Sequence, residues 1–329
     1  MNTETTYLGL RLKHPFIAGA SPMGYSLDHV KRLEDAGCAA VVLHSLFEEQ
    51  ITHEREGRIA GRTVGDRDFA DIHAHFPEPS SYPLTPDEYA GHIRRLKQAV
   101  SIPVIGSLNG RTKAAWLKFA TAIQDAGADA LELNMYQVVT DLGVPAAHIE
   151  AQLVGVVEEV KDLVRIPVAV KLSPFFTAFG NLAHRLDQAR ADGLVLFNRF
   201  YQPDINIHTR RVTTHAELSD SSELLLRLRW AAILHRRIKA SIAVSGGVAL
   251  PADGIKALLA GADAVQVVSA LLRHGPAYIA AMRRGLEDWL ERQQLDSLSE
   301  VKGSLSLQSS RDPGAYERAH YIKVLHNPV

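Results

Sequence analysis

Eight times along this 329-residue chain a short apolar run of strand length recurs, and most of these runs are trailed by an amphipathic stretch of helix length. The runs cover residues 15–20, 39–45, 103–109, 130–136, 168–174, 193–200, 241–247 and 264–270. The helical stretches cover 27–36, 86–99, 114–126, 147–164, 182–191, 222–238, 252–260 and 276–293. Apolar runs without polar alternation are the signature of strands buried on both faces, as in a parallel sheet covered by helices. Eight such units predict a closed α/β barrel, a single (β/α)8 TIM barrel, ahead of an open doubly wound sheet. Ala-Gly and Ala-Asp-Gly steps before strands two, four, six and eight read as glycine stops for the preceding helices.

Smaller features complete the expected architecture. Residues 7–12 alternate around Gly9 and predict an N-terminal hairpin within 1–14, placed to plug the barrel bottom. The tail, 297–329, is polar until Asp312-Pro313, a cap and first-turn pair that predicts a last helix over 314–325. The whole chain, 1–329, is expected to act as one domain. Two connections are long: 48–85 after strand two, with His73 and His75, and 202–220 after strand six. Both leave the edge of the barrel where catalysis sits in this architecture, so both are candidate lids, although oligomer contacts or plain insertions would look the same.

Composition narrows the partners. The chain is 46% hydrophobic and 22% charged with a formal net charge of −1, which argues for a large core and against nucleic acid or anionic membrane as a partner. A single cysteine, Cys38, leaves no disulfide and no cysteine metal cluster, so no metal site is expected and a cytoplasmic setting fits. The N-terminal MNTETTYLGLRLKHPF has no apolar core of a signal peptide, and no window is apolar enough for a membrane span.

The stretch 241–273 is the most informative. Strand seven runs into Ser245-Gly246-Gly247, and strand eight, Ala264-Val265-Gln266-Val267-Val268, into Ser269. The glycine pair alone could be a tight turn. Two consecutive strand ends of small residues, one opening a helix, are how such barrels hold a phosphate. Polar residues also stand at the other strand ends: Ala20-Ser21, His44-Ser45, Ser107 and Asn109, Asn134 with Tyr136 and Gln137, Lys171, and Asn198-Arg199. Buried strand ends tolerate such groups only when they are paired or bind something. Lys171, inside the apolar Val168-Ala169-Val170-Lys171-Leu172, has three readings: a structural ion pair, a Schiff-base lysine, or a fixed charge beside an electron-accepting ring such as a flavin.

On these same residues the chain resembles the class 1 dihydroorotate dehydrogenases, FMN-containing (β/α)8 barrels, along nearly its whole length. The matching stretches are His14-Pro15-Phe16-Ile17-Ala18-Gly19-Ala20-Ser21, Leu131-Glu132-Leu133-Asn134, Val170-Lys171-Leu172, Asn198, Ser245-Gly246-Gly247 and Gln266-Val267-Val268-Ser269-Ala270-Leu271. The resemblance implies FMN, with Ala20, Ser21, His44, Ser45, Ser107, Asn134 and Lys171 around the ring and ribityl chain. Ser245, Gly246, Gly247, Val268 and Ser269 would then hold its phosphate. It also implies a homodimer.

The departures fall on the substrate side. Where the family carries its general-base cysteine, in a Ser-Cys-Pro-Asn run, this chain has Tyr136-Gln137-Val138-Val139, and an amide takes no proton at neutral pH. Cys38 precedes strand two and belongs to the opposite end of the barrel. The family's lysine at the end of strand two is His44, its Asn-rich loop motif is replaced by the segment around His73 and His75, and the serine after Asn198 is Arg199. The expectation is hydride transfer from dihydroorotate or a related small ring to FMN N5. His44 or Tyr136 would move the proton, Lys171 would act electrostatically, and Asn134, Gln137, Asn198 and Arg199 would contact substrate. The alternatives are an FMN oxidoreductase with another substrate, a flavin-free phosphate-binding lyase using Lys171, and a flavin carrier without turnover. With no cysteine cluster for an iron–sulfur centre, electrons would leave through a soluble oxidant or a separate electron-transfer subunit.

Overall fold

Strands that are apolar on both faces must be covered on both, and a sheet closed on itself does this with one ring of helices outside. In the computed structural model, which describes residues 1–48, 85–110, 112–199, 202–214 and 217–317, the chain does so. After an antiparallel pair, β1 (Thr5–Tyr7) and β2 (Leu10–Leu12), come β3 (Phe16–Ala18), β4 (Val41–Phe47), β5 (Val104–Asn109), β6 (Ala130–Asn134), β7 (Val168–Leu172) and β8 (Gly193–Leu196). A second antiparallel pair follows, β9 (Pro203–Asn206) and β10 (Arg211–Thr214), then β11 (Ser241–Ser245) and β12 (Ala264–Val267). Strands β3 to β8, β11 and β12 form a closed barrel in which chain neighbours pair in parallel and β12 closes on β3. The helices are α1 (Leu27–Asp35), α2 (Pro86–Ala99), α3 (Lys113–Asp125), α4 (Ala146–Leu163), α5 (Phe179–Gln188), α6 (Leu224–Leu234), α7 (Pro251–Ala260), α8 (Ser269–His274) and α9 (Tyr278–Arg292). Among the described residues no helix is long and apolar enough to cross a membrane.

Local signals account for most boundaries. Thr85 and Glu88 form a capping box, each side chain accepting from the other's backbone N–H at 3.1 Å, with Pro86 in the first turn of α2. Gly37, Gly127 and Gly261 take positive φ after α1, α3 and α7, as helix-stopping glycines should. Before β8 the sequence reading needs correction: Arg190 takes the left-handed position after α5 (φ 68°), and Gly193 lies inside the strand. There a Cβ would come within 2.5 Å of the Leu8 side chain, so this glycine makes room in the lumen. Of the last expected helix, only a 3-10 turn at Pro313–Tyr316 falls among the described residues.

The lumen is layered. Its floor is lined by Ala39, Ala40, Ala130, Ala169, Ala243 and Ala264, small side chains that leave an unfilled core. Tyr7, Leu8 and Leu12 of the β1–β2 hairpin fill that space and are almost fully buried, so the hairpin plugs the barrel bottom. The Tyr7 phenol is pushed far above its usual pKa by burial, and then by the charges of Glu132 and Asp263. Its hydroxyl has no hydrogen-bond partner among the described residues. Since a buried unpaired hydroxyl is costly, Tyr7→Phe should leave stability unchanged or raise it by up to about 1 kcal/mol, measured by urea unfolding. A loss larger than that would show that the hydroxyl is paired.

Candidate functional site

Above the floor the lumen turns polar, because the residues two and four places further along the same inward-facing rows are no longer alanines. On β6 the row reads Ala130, Glu132, Asn134, and on β7 Ala169, Lys171. Asn134 and Lys171 are register partners across β6 and β7. Asn134 donates from Nδ2 to the Ser45 hydroxyl at 2.9 Å, and Ser45 shares a 2.8 Å bond with the Ser107 hydroxyl. Three neighbouring strands thus contribute one polar chain at the C-terminal mouth. Asn134 Oδ1 is buried and accepts no hydrogen bond among the described residues, an orphan that a donor on a bound ring would satisfy. Asn109, at the end of β5, donates to the carbonyls of Asn134 (2.7 Å) and Tyr136 (3.4 Å) and so holds the turn after β6 in place. Tyr136 is half-buried there and Gln137 is exposed.

Lys171 stands just inside this ring, its side chain 9% exposed. Its ammonium lies 3.4 Å from Gln266 Oε1 on β12 and 3.6 Å from Glu132 Oε1. Asn198 donates to the Lys171 carbonyl at 3.4 Å. Its place in a buried ion pair suits the fixed-charge reading of the sequence.

His44 stands apart from this polar chain. The β4–β5 register shifts between Val42 and Ser45, an irregularity that re-aims the intervening side chains. Ser45 takes the place beside Ser107, while His44 packs between Tyr25 (ring centroids 3.5 Å apart) and Tyr89 (5.0 Å). Neither ring nitrogen has a hydrogen-bond partner among the described residues. Burial, with a smaller push from His92, drives its pKa down to about 2. An imidazole in that state takes no proton at neutral pH. His73 and His75 lie outside the described residues.

At the opposite corner, Gly246 and Gly247 both have positive φ (84° and 74°), and a Cβ on Gly247 would come within 2.4 Å of the Leu224 backbone nitrogen. Gly247 N–H donates to the Ser219 hydroxyl at 3.2 Å, and Ser219 in turn bonds the Ser269 hydroxyl at 2.9 Å. Arg227 is buried behind the glycines and donates from Nε to the Ser245 carbonyl at 2.6 Å. The donors converging here, with one guanidinium close by, have the chemistry of a phosphate site, and the mouth has that of a polar ring edge. A flavin bearing a phosphate fits both ends. Ala20 and Ser21 are half-buried at the end of β3, and Val268 packs beside Gly19. Arg199 is not free: its Nη2 pairs with Glu223 Oε1 at 3.2 Å, so an anionic substrate group would have to compete for it. A cavity of about 730 Å³, a size common for small-molecule sites, opens beside the mouth among Asn109, Trp116, Met135, Tyr136 and Gln137. Among the described residues no His, Cys, Asp and Glu cluster could hold a metal ion.

Sequence reasoning passed over Glu132, Gln266, Ser219 and Arg227. The alternation Ala130, Glu132, Asn134 between Leu131 and Leu133 is a signal that would have turned Glu132 inward. Nothing in the spacing of Ser219, 28 residues before Gly247, marks it.

A family model described as dihydroorotate dehydrogenase matches residues 85–290. Among curated proteins, the catalytic subunit of dihydroorotate dehydrogenase B (NAD(+)) of Thermoplasma volcanium is 25% identical over 304 residues, covering 91% of this chain and 97% of that protein. The protein of the same name from Desulforudis audaxviator is 26% identical, covering 92% and 97%. A putative dihydroorotate dehydrogenase A (fumarate) of Aeropyrum pernix is 25% identical, covering 90% and 94%.

The buried state of His44 has a consequence for acid stability. Its folded pKa lies below the unfolded value near 6.5, so its contribution is complete above pH 6.5 and is lost as pH falls toward 2. Between pH 7 and 5, wild type should lose on the order of 2 kcal/mol more than His44→Gln, measured from paired urea titrations. Equal losses would mean that His44 is solvated or paired.

Proposed function

Since this chain belongs to the dihydroorotate dehydrogenase family, whose members are flavin-dependent oxidoreductases, we propose that its barrel mouth binds FMN and oxidises dihydroorotate or a closely related small ring. The observation that carries this reading is the pairing of a buried lysine at the mouth with converging phosphate-type donors at the ends of β11 and β12. Ser45, Ser107, Asn134 and Lys171 would hold the ring, Ala20 and Ser21 would flank it, and Ser219, Ser245, Gly246, Gly247, Val268 and Ser269 would hold the phosphate. FMN would supply the hydride acceptor, its N5. The chain's own part is to orient, to keep a positive charge at the ring edge, and to move one proton. The whole chain, 1–329, would act as one such domain.

For the proton, Tyr136 is the better candidate of the two named from sequence. It sits on the turn that Asn109 clamps, in the position range where the family keeps its base, whereas His44 is neutral and enclosed. Gln137 and Asn198 remain candidates for substrate contact, with Arg199 available only in exchange for Glu223. The cavity behind Tyr136 supports a substrate larger than, or different from, dihydroorotate as the second reading. Two of the relatives above are named as catalytic subunits, which supports a separate electron-transferring partner here. A homodimer in the cytoplasm remains part of the proposal.

Stopped-flow reduction of bound flavin under anaerobic conditions tests the assignment, first screening dihydroorotate and related rings. Tyr136→Phe should slow reduction by about 10²-fold or more, the usual size of a lost proton-transfer group, while His44→Gln changes it less than about tenfold. The reverse ranking would return the role to His44. An unaffected Tyr136→Phe would remove both tyrosine and the clamp from the chemistry.

A further inference from the structure

A lysine and a glutamate share the interior of this barrel, and only the lysine has been given a task. Glu132 is 1% exposed, on the strand next to Lys171. Its Oε2 accepts a 2.6 Å hydrogen bond from Gln266 Nε2, which fixes the carboxylate plane and leaves Oε1 facing the lysine. Oε1 itself accepts no hydrogen bond among the described residues, and its contact with Lys171, at 3.6 Å, is one of charge. Gln266, fully buried, completes the triangle: its amide donates to Glu132 and its oxygen accepts from Lys171 at 3.4 Å. The direct contact is too long for a hydrogen bond, so the ammonium keeps donors free for the mouth.

Two buried groups of opposite charge this close offset each other's desolvation. Among the described residues, Glu132's field also reaches Tyr7 below and Tyr89 of α2, each held as a neutral phenol by burial. Glu132 is therefore the countercharge to Lys171. We infer that Glu132 is the positioning residue for Lys171: it keeps the lysine charged and aimed at the mouth, and it acts on the redox chemistry only through that lysine. The redox part rests on the flavin reading given above; the charge-holding part does not.

Both parts can be tested on the full-length protein as isolated. A short pulse of reductive methylation at neutral pH, read peptide by peptide by mass spectrometry, reports the neutral-amine fraction at Lys171. Glu132→Gln should raise methylation at Lys171 by about tenfold or more, with surface Lys31 and Lys118 unchanged. Glu132→Asp, which keeps the charge and also covers the case in which Glu132→Gln fails to fold, should stay within about threefold of wild type on the same scale. An unchanged rate in Glu132→Gln, or an equal rise in Glu132→Asp, would overturn the inference. In flavin-loaded protein Lys171→Met should lower the midpoint potential, Glu132→Gln should shift it while Lys171 is present, and the double variant should match Lys171→Met. A Glu132→Gln shift of the same size with and without Lys171 would contradict action through Lys171. A chain that carries no flavin would count against the flavin reading alone and leave the labelling result to decide on Glu132.

Discussion

Closing eight strands into a ring forces alternate side chains into one enclosed column, and that column has to be filled. Most of what this protein can do follows from how it is filled. The lower part holds six alanines and one glycine beside Ile17, Val42, Ile105 and Val195, and the N-terminal hairpin adds Tyr7, Leu8 and Leu12 to fill it. The upper part carries Glu132, Lys171, Gln266, Asn134, Ser45 and Ser107, which can be buried only because each answers another. A dry floor beneath a polar mouth lowers the local dielectric, so one ammonium there exerts more force on a ring above it than it would in water.

The mouth is built on strands, with the turn after β6 tied down by Asn109, and this is the arrangement that preserves geometry best. The phosphate corner is made differently. Gly246 and Gly247 press so closely on the start of α6 that only glycine fits, and the segment carrying Ser219 closes over them from the long connection after β8. The descending end of that connection carries a hydroxyl into the corner itself.

How much of this was legible in the sequence depends on the kind of signal. The barrel was, because eight apolar runs and their helices repeat a local period that tertiary packing reinforces. Lys171 and the glycine pair were, because a charge or a φ-permissive residue inside an apolar run violates the local rule. The enclosure of His44 was not legible, because the register shift between Val42 and Ser45 is a property of two strands together, invisible in either alone. Glu132 stood within a recognised motif, and its inward direction followed from simple alternation, yet its partner lies 134 residues away on β12. Gly193 was read as a helix stop because Ala-Asp-Gly looks like one; the lumen, through Leu8, decided otherwise.

The central claim is that this mouth and this corner are two ends of one site for riboflavin phosphate. The most direct measurement is the flavin content of the protein purified in the dark and without added cofactor, followed by equilibrium titration of any empty fraction with FMN. The account expects a yellow protein that releases FMN on denaturation, approaching one per chain after titration, and that discriminates against riboflavin lacking the phosphate. A colourless protein that takes up no FMN, or one that binds riboflavin equally well, would contradict it.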